Sequence, residues 1–286
     1  MNVWVEGARP RTLGAAVAPV LIGTAVAASD GHVVAWRALA AFVVAVALQV
    51  GTNYANDYSD GVRGTDADRQ GPRRLTASGV VAPPAVKRAA AISFGVAAAA
   101  GLALAIAVDL RLLLVGVLAI AAGALYSGGP RPYGYAGFGE VAVLVFFGLV
   151  ATCGSTYVHL ERIPGIALLA SLAVGLPACA LLLTNNLRDE PTDRATGKHT
   201  LVVRTGARAG RALYVACIVG AFLAVAAIGV AEPLALVALA AAPLAVPPVR
   251  LVLTRQDPPG LVAGLLATAR LQLVIAGLLA AGLWLS

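Results

Sequence analysis

Charge is scarce in this chain. Charged residues are 12% of its 286 residues and hydrophobic residues 59%, with a mean hydropathy of +0.85. A soluble globular chain carries about 25% charged residues, so a water-facing surface cannot be covered and the soluble class is excluded. Lysine is almost missing: Lys87 and Lys198 stand alone among 21 basic residues. With so much Ala, Gly and Val, that preference for arginine points to a GC-rich bacterial genome. The few cysteines, Cys153, Cys179 and Cys217, all lie in apolar stretches and read as small hydrophobes, not as a disulfide scaffold. No His–Cys spacing suggests zinc. The composition is neither disordered nor collagen-like.

What the chain has in abundance is long apolar runs. A bilayer core about 30 Å thick needs roughly 20 apolar residues in a helix. Runs free of Lys, Arg, Asp and Glu cover 12–29, 38–56, 89–108, 112–130, 141–160, 163–187, 212–231 and 233–249, and a last one, 258–286, is broken only by Arg270. The expected fold is therefore all-α: a polytopic membrane bundle of nine transmembrane helices forming one domain over 1–286. The first run starts close to the N-terminus and has no Ala-x-Ala-like cleavage site after it, so a retained first helix is expected.

The connections alternate in charge. All of the basic residues except Arg37, Arg111, Arg162 and the intrahelical Arg270 fall in connections on one side. The positive-inside rule then puts the N-terminus in the cytoplasm and, after nine crossings, the C-terminus outside a bacterial inner membrane. The net charge of +7 needs no nucleic acid to explain it.

Two connections on the basic side are long, about 57–88 and 188–211, and loops of that length tend to be functional. Each follows a polar helix end. The first reads Thr52-Asn53-Tyr54-Ala55-Asn56-Asp57 and the second Thr184-Asn185-Asn186-Leu187-Arg188-Asp189. Four positions after Asn53 comes Asp57, and four after Asn185 comes Asp189; Asp60 and Asp193 follow. The matched endings suggest a four-helix duplication, with halves about 12–130 and 141–253 and a ninth helix about 260–285. The two loops cap the site. Residues three and four apart share a helix face, so Asn53, Asp57 and Asp60 line one face, with Asn56 beside them and Asp66 in the loop. Pro191 is expected to end the second helix near Glu190, leaving Asp193 in the next turn. Clustered carboxylates stay ionised only beside cations, and an oxygen-only ligand set selects a hard ion, chiefly Mg²⁺.

Asn56-Asp57-Tyr58-Ser59-Asp60 with Asp66, and Asn185-Asn186-Leu187-Arg188-Asp189 with Asp193, resemble the paired aspartate motifs of the UbiA superfamily of intramembrane aromatic prenyltransferases. The resemblance runs over nearly the whole chain. Arg9-Pro10-Arg11-Thr12-Leu13, Tyr126-Ser127-Gly128-Gly129-Pro130 and Thr196-Gly197-Lys198-His199-Thr200-Leu201 are similar to the menaquinone branch. His199 departs from the branch, which has a second basic residue there, and Asp66 sits further along than in the ubiquinone branch.

The resemblance implies a polyprenyl diphosphate donor and an aromatic acceptor, 1,4-dihydroxy-2-naphthoate in that branch, with loss of CO₂ and pyrophosphate. It implies that Asn53, Asp57, Asp60, Asp189 and Asp193 hold two Mg²⁺ ions around the diphosphate. Lys198 and a nearby arginine, Arg63, Arg131 or Arg194, would contact its oxygens. Arg9 and Arg11 bind diphosphate or acceptor, or anchor to headgroups. Asn56 and Asn185 flank the acceptor side. Tyr126 stacks on the acceptor, faces the allyl cation, or is an interfacial tyrosine. Glu140 pairs with a cation or acts as a base, and His199 touches diphosphate or is bland. Other aromatic acceptors such as 4-hydroxybenzoate share this machinery. A secondary transporter is the alternative of another class, though it usually places its acids mid-bilayer on broken helices.

Overall fold

The computed structural model describes residues 2–65 and 73–286. Asp66, expected in the first acidic cluster, lies outside them. The described residues form helices, with no strand among them. A short helix, α1 (Val3–Ala8), turns through Arg9 in the left-handed region and a tight turn into α2 (Gly14–Ser29). The long α3 (Ala35–Arg63) and α4 (Pro83–Ala107) form an antiparallel pair, followed by the shorter α5 (Leu112–Leu125). Then come α6 (Gly139–Leu160), α7 (Gly165–Ala195), a small α8 (Leu201–Thr205), α9 (Ala207–Ile228), α10 (Pro233–Thr254) and α11 (Pro258–Leu285). The last helix returns to pack on α2, closing the bundle. Large apolar side chains such as Leu39, Ile92, Ile106, Leu114, Val117 and Leu223 face outward, as they do where the solvent is lipid.

The expected count of nine spans is corrected. Seven helices are long and apolar enough to cross a membrane, or eight if the pair Val3–Thr12 and Gly14–Ser29, bent by 52°, is one span. The remainder, α5, has 14 residues and a length of about 21 Å, short of the hydrocarbon core. It starts after Arg111 and stops where the chain enters the 126–138 connection. It still joins the two ends of the bundle, because the connection before it carries Asp109, hydrogen bonded to Tyr157 near the end of α6, while Tyr126 at its other end lines the cavity described below.

α3 and α7 are the longest helices, at 29 and 31 residues, or about 44 and 46 Å. That exceeds a bilayer core by two or more turns, and the excess is the polar end of each. Gly64, with φ 73°, stops α3 in a left-handed turn whose N–H reaches back to Asp60 and Gly61. Pro191 does not end α7, contrary to expectation: the helix runs through it to Ala195. Proline's φ is compatible with a helix, and the following turn is held by Thr192 Oγ1 donating to the Asp189 carbonyl and Thr196 N–H to that of Thr192. Asp193 therefore stays on the helix. α6 lies close against α7 because Gly148 and Gly175 face each other; a Cβ on Gly175 would sit 2.7 Å from the Gly148 Cα. Gly148 belongs to a π-helical stretch, Leu144–Val150, inside α6.

Arg37, Arg111 and Arg162, the three expected on the far side, do gather at one end of the bundle. Arg37 donates to the Val158 carbonyl, Arg111 pairs with Asp109, and Arg162 pairs with Asp30.

Candidate active site

The polar ends of α3 and α7 meet over a cavity of about 1000 Å³. Its far walls are apolar: Val20, Ala41, Val44, Leu48, Leu104 and Val115 among others. Its polar groups collect at one end, where Asn53, Asn56, Asp60, Tyr126, Asn185, Asp189, Asp193, Lys198, Arg9 and Arg11 all line it. The structure thus brings together most of the residues singled out in the sequence.

Asp60 is buried. Its Oδ1 accepts from the Tyr135 hydroxyl at 2.6 Å and its Oδ2 from Lys198 Nζ at 3.3 Å. The same ammonium lies 3.9 Å from Asp193 Oδ1 and 4.8 Å from the centre of the Tyr135 ring. One cation thus sits between a carboxylate of each long helix, which offsets their repulsion. Lys198 is held there by its own backbone: its N–H donates to the Asp193 carbonyl, and the next N–H, of His199, donates to the Tyr135 carbonyl. Burial, with the Asp60 charge next, pushes the Tyr135 phenol above its ordinary range, so it stays a donor to Asp60 at neutral pH. On α7, Arg188 grips Asp189 through two bonds of 2.7 and 2.6 Å. With the Arg188 side chain 3% exposed, that pairing is what makes its burial tolerable.

Other expected residues are placed elsewhere. Asp57 does not line the cavity. Its two oxygens accept the backbone N–H groups of Leu75 and Thr76, at 2.9 and 2.8 Å. Arg63 donates to the Ser127 and Gly129 carbonyls and stacks on Tyr135 at 5.5 Å, so it fixes the connection after α5. Arg194 turns outward and pairs with Glu190. Arg131 and His199 are exposed and off the cavity. Glu140 sits behind the wall, bonded to Asn186. Asn53 is at the cavity but is tied up: its amide donates to the Ala8 carbonyl and accepts from Gln49. The Asn–Asp pairs that face the cavity are Asn56–Asp60 and Asn185–Asp189, three residues out of register with the pairing of Asn53 and Asn185 read from the sequence. Asn56 and Asp60 are displaced by only about 60° around α3 from Asn53 and Asp57, and the chain at Leu75 and Thr76 covers Asp57 with its N–H groups.

Several contributors escaped sequence reasoning. Arg73, Arg74 and Arg188 line the cavity, as do Tyr133 and Tyr135. The Arg188-Asp189 adjacency, next to a cavity-facing Asn185, was the one local signal for Arg188. Nothing local marked Tyr135, which comes from a separate connection.

Among the described residues no three carboxylate, imidazole or thiolate side chains converge as a ready metal cluster. The donor set nonetheless fits a hard cation. Asp60, Asp189 and Asp193 share one cavity end, and Asn56 Oδ1 is buried there without a hydrogen-bond partner among the described residues. All are oxygen ligands.

Residues 16–261 match the UbiA prenyltransferase family. The chain is 48% identical to 1,4-dihydroxy-2-naphthoate octaprenyltransferase of Mycobacterium tuberculosis, over 85% of this chain and 83% of that one. It is 38% identical to the Escherichia coli protein of the same name, over 90% and 87%. In fold it is similar to a UbiA homolog from Aeropyrum pernix K1, with a TM-score of 0.69 at 16% identity over 93% of this chain and 96% of that one. A UbiA homolog from Archaeoglobus fulgidus bound to GPP and Mg²⁺ gives 0.64 at 12% identity over 96% and 99%. Matched along most of its length by the family and by relatives this similar, the chain belongs to the UbiA prenyltransferase family.

Proposed function

We propose that this protein transfers a polyprenyl group from a polyprenyl diphosphate to 1,4-dihydroxy-2-naphthoate, releasing CO₂ and pyrophosphate and leaving a demethylmenaquinol. The observation that carries the reading is the 48% and 38% identity, across most of both chains, to relatives that bear that acceptor in their names. A cavity polar at one end and apolar along the rest suits a substrate with a charged head and a long hydrocarbon tail. A transporter usually places its acids mid-bilayer on broken helices, not at one end of a cavity.

A divalent cation, Mg²⁺ by the chemistry of the donors and by the Archaeoglobus relative's contents, would be held by Asn56, Asp60, Asp189 and Asp193, with two ions fitting the two acidic helix ends. When bound it supplies Lewis-acid stabilisation of the departing diphosphate. The chain's own cations do the rest. Lys198, between Asp60 and Asp193, is placed to exchange a carboxylate for a diphosphate oxygen, and Arg9, Arg11, Arg73 and Arg74 ring the same end. The C–O bond of the donor breaks with its electron pair leaving on pyrophosphate. The ring carbon bearing the carboxylate of the acceptor attacks the allyl cation, and the C–CO₂ bond then breaks to restore aromaticity. No base has to remove a ring proton. The apolar walls exclude the water that would otherwise capture the cation.

With carboxyl-labelled dihydroxynaphthoate, we expect labelled CO₂ to match pyrophosphate one for one. A product that keeps the label, or turnover with 4-hydroxybenzoate but not with dihydroxynaphthoate, would reassign the acceptor and leave the prenyl transfer.

The site end of the bundle faces the cytoplasm in this reading, because the basic connections lie there. In a cysteine-free background, Glu161→Cys should react with an impermeant maleimide added to intact cells, and Ala195→Cys should react only after lysis. The reverse pattern would invert the topology.

A further inference from the structure

Glu140, the second residue of α6, is a buried carboxyl whose one side-chain hydrogen bond among the described residues is Asn186 Nδ2 donating to Oε1 at 2.8 Å; Oε2 has no partner. Glu140 does not reach the cavity, but Asn186 lines it. Asn186 lies three residues before Asp189 and seven before Asp193, on the same stripe of α7. Its amide is held from behind, so the group left for the cavity is the carbonyl oxygen, which accepts nothing from any described residue. Facing the same corner is an aromatic pair. Tyr126 and Tyr133 stack edge to face with centroids 5.5 Å apart. A Cβ on Gly139, next to Glu140, would sit 3.2 Å from the Tyr126 hydroxyl and 3.1 Å from Leu182, one turn before Asn186. The missing side chain at Gly139 leaves room for Tyr126 to stand there. The corner therefore offers an aromatic edge and a fixed hydrogen-bond acceptor beside the carboxylates, which is what a flat, hydroxylated ring requires.

We propose that Asn186 binds a ring hydroxyl of the aromatic acceptor through its carbonyl, and that Glu140 is the positioning residue that fixes its amide. This rests on the prenyl-transfer reading above and names the part of the site that holds the acceptor, not the donor. A hydroxyl donating to a fixed carbonyl keeps the ring electron-rich and turns it in one orientation toward the allyl carbon.

The test separates the two substrates. In purified protein with Mg²⁺ and geranylgeranyl diphosphate, Asn186→Leu and Glu140→Leu should each raise the apparent KM for the acceptor about tenfold, the loss of one hydrogen bond. The KM for the donor should stay within about twofold, which also shows that the bundle is folded. Glu140→Gln, whose carbonyl still accepts from Asn186, should remain near the unmutated protein. Asn186→Asp places two carboxyls together and should behave like Asn186→Leu, and adding Glu140→Gln to it should recover most of the loss. Donor and acceptor KM rising together, or a double variant no better than Asn186→Asp, would overturn the proposal. If the unmutated protein uses 4-hydroxybenzoate and not dihydroxynaphthoate, only the acceptor reading fails, and the same split measured with that ring decides the role of the pair.

Discussion

Asp60→Asn should lower kcat by about a thousandfold, at the upper end of what a single preorganised electrostatic group contributes, while the protein still purifies as a folded bundle. The side chain has no structural duty that the amide cannot share: Oδ1 accepts from Tyr135, which an amide carbonyl also does. What is lost is the negative charge. Without it Lys198 loses its 3.3 Å carboxylate partner, and the cavity end loses one of the carboxylates available to a divalent cation. More donor substrate should not restore the rate, because the missing interaction stabilises charge that develops only as the C–O bond breaks. Asp189→Ala should be as severe and also cost stability, since it leaves the buried Arg188 guanidinium unpaired. EDTA should silence the unmutated protein in the same way. Turnover by Asp60→Asn within about tenfold of normal, measured at saturating substrates, would remove Asp60 from the chemistry.

Asp57→Ala should fail differently. The sequence places Asp57 with the metal ligands, but its oxygens are spent on the N–H groups of Leu75 and Thr76. Removing them leaves two buried donors unsatisfied, at about 1–3 kcal/mol each. The anchor they hold is substantial: Leu75 is 1% exposed and packs with Tyr54, Val86 and Ala90. Beside it, Arg73 and Arg74 line the cavity. We expect a lowered Tm, proteolysis within 73–81, and a donor KM raised well above tenfold, with much of kcat recovered at high donor concentration. Thermal unfolding and limited proteolysis with bound donor check this. An Asp57→Ala protein as stable as the parent, with kcat abolished at every donor concentration, would return Asp57 to the metal.

These two aspartates show why the motif alone could not assign roles. Asp57 and Asp60 are three apart on one helix, and spacing puts them near one another. Which one faces the cavity depends on where α4 and the 73–81 connection pack against α3. The same holds for the arginines. Arg63 and Arg194 follow the acidic residues closely in sequence, yet Arg63 is consumed by carbonyls of another connection and Arg194 by Glu190 one turn away. Arg188, buried and bidentate on Asp189, looked like one more loop charge.

Composition and spacing settle the class of molecule and point to where its chemistry lies. Low charge and long apolar runs force a helical membrane bundle, because backbone groups in lipid must be satisfied within the segment. The acids at matched helix ends point to a site, since carboxylates at a membrane boundary are costly without a purpose. Packing between the helices set the rest. It shortened α5, carried α7 through Pro191 to keep Asp193 in line, and brought Tyr135, Lys198 and Asp60 together from three separate segments. Those outcomes turn on helical phase and on packing between residues far apart in the chain. A periodic pattern read along one helix carries no information about which face its neighbours will leave open.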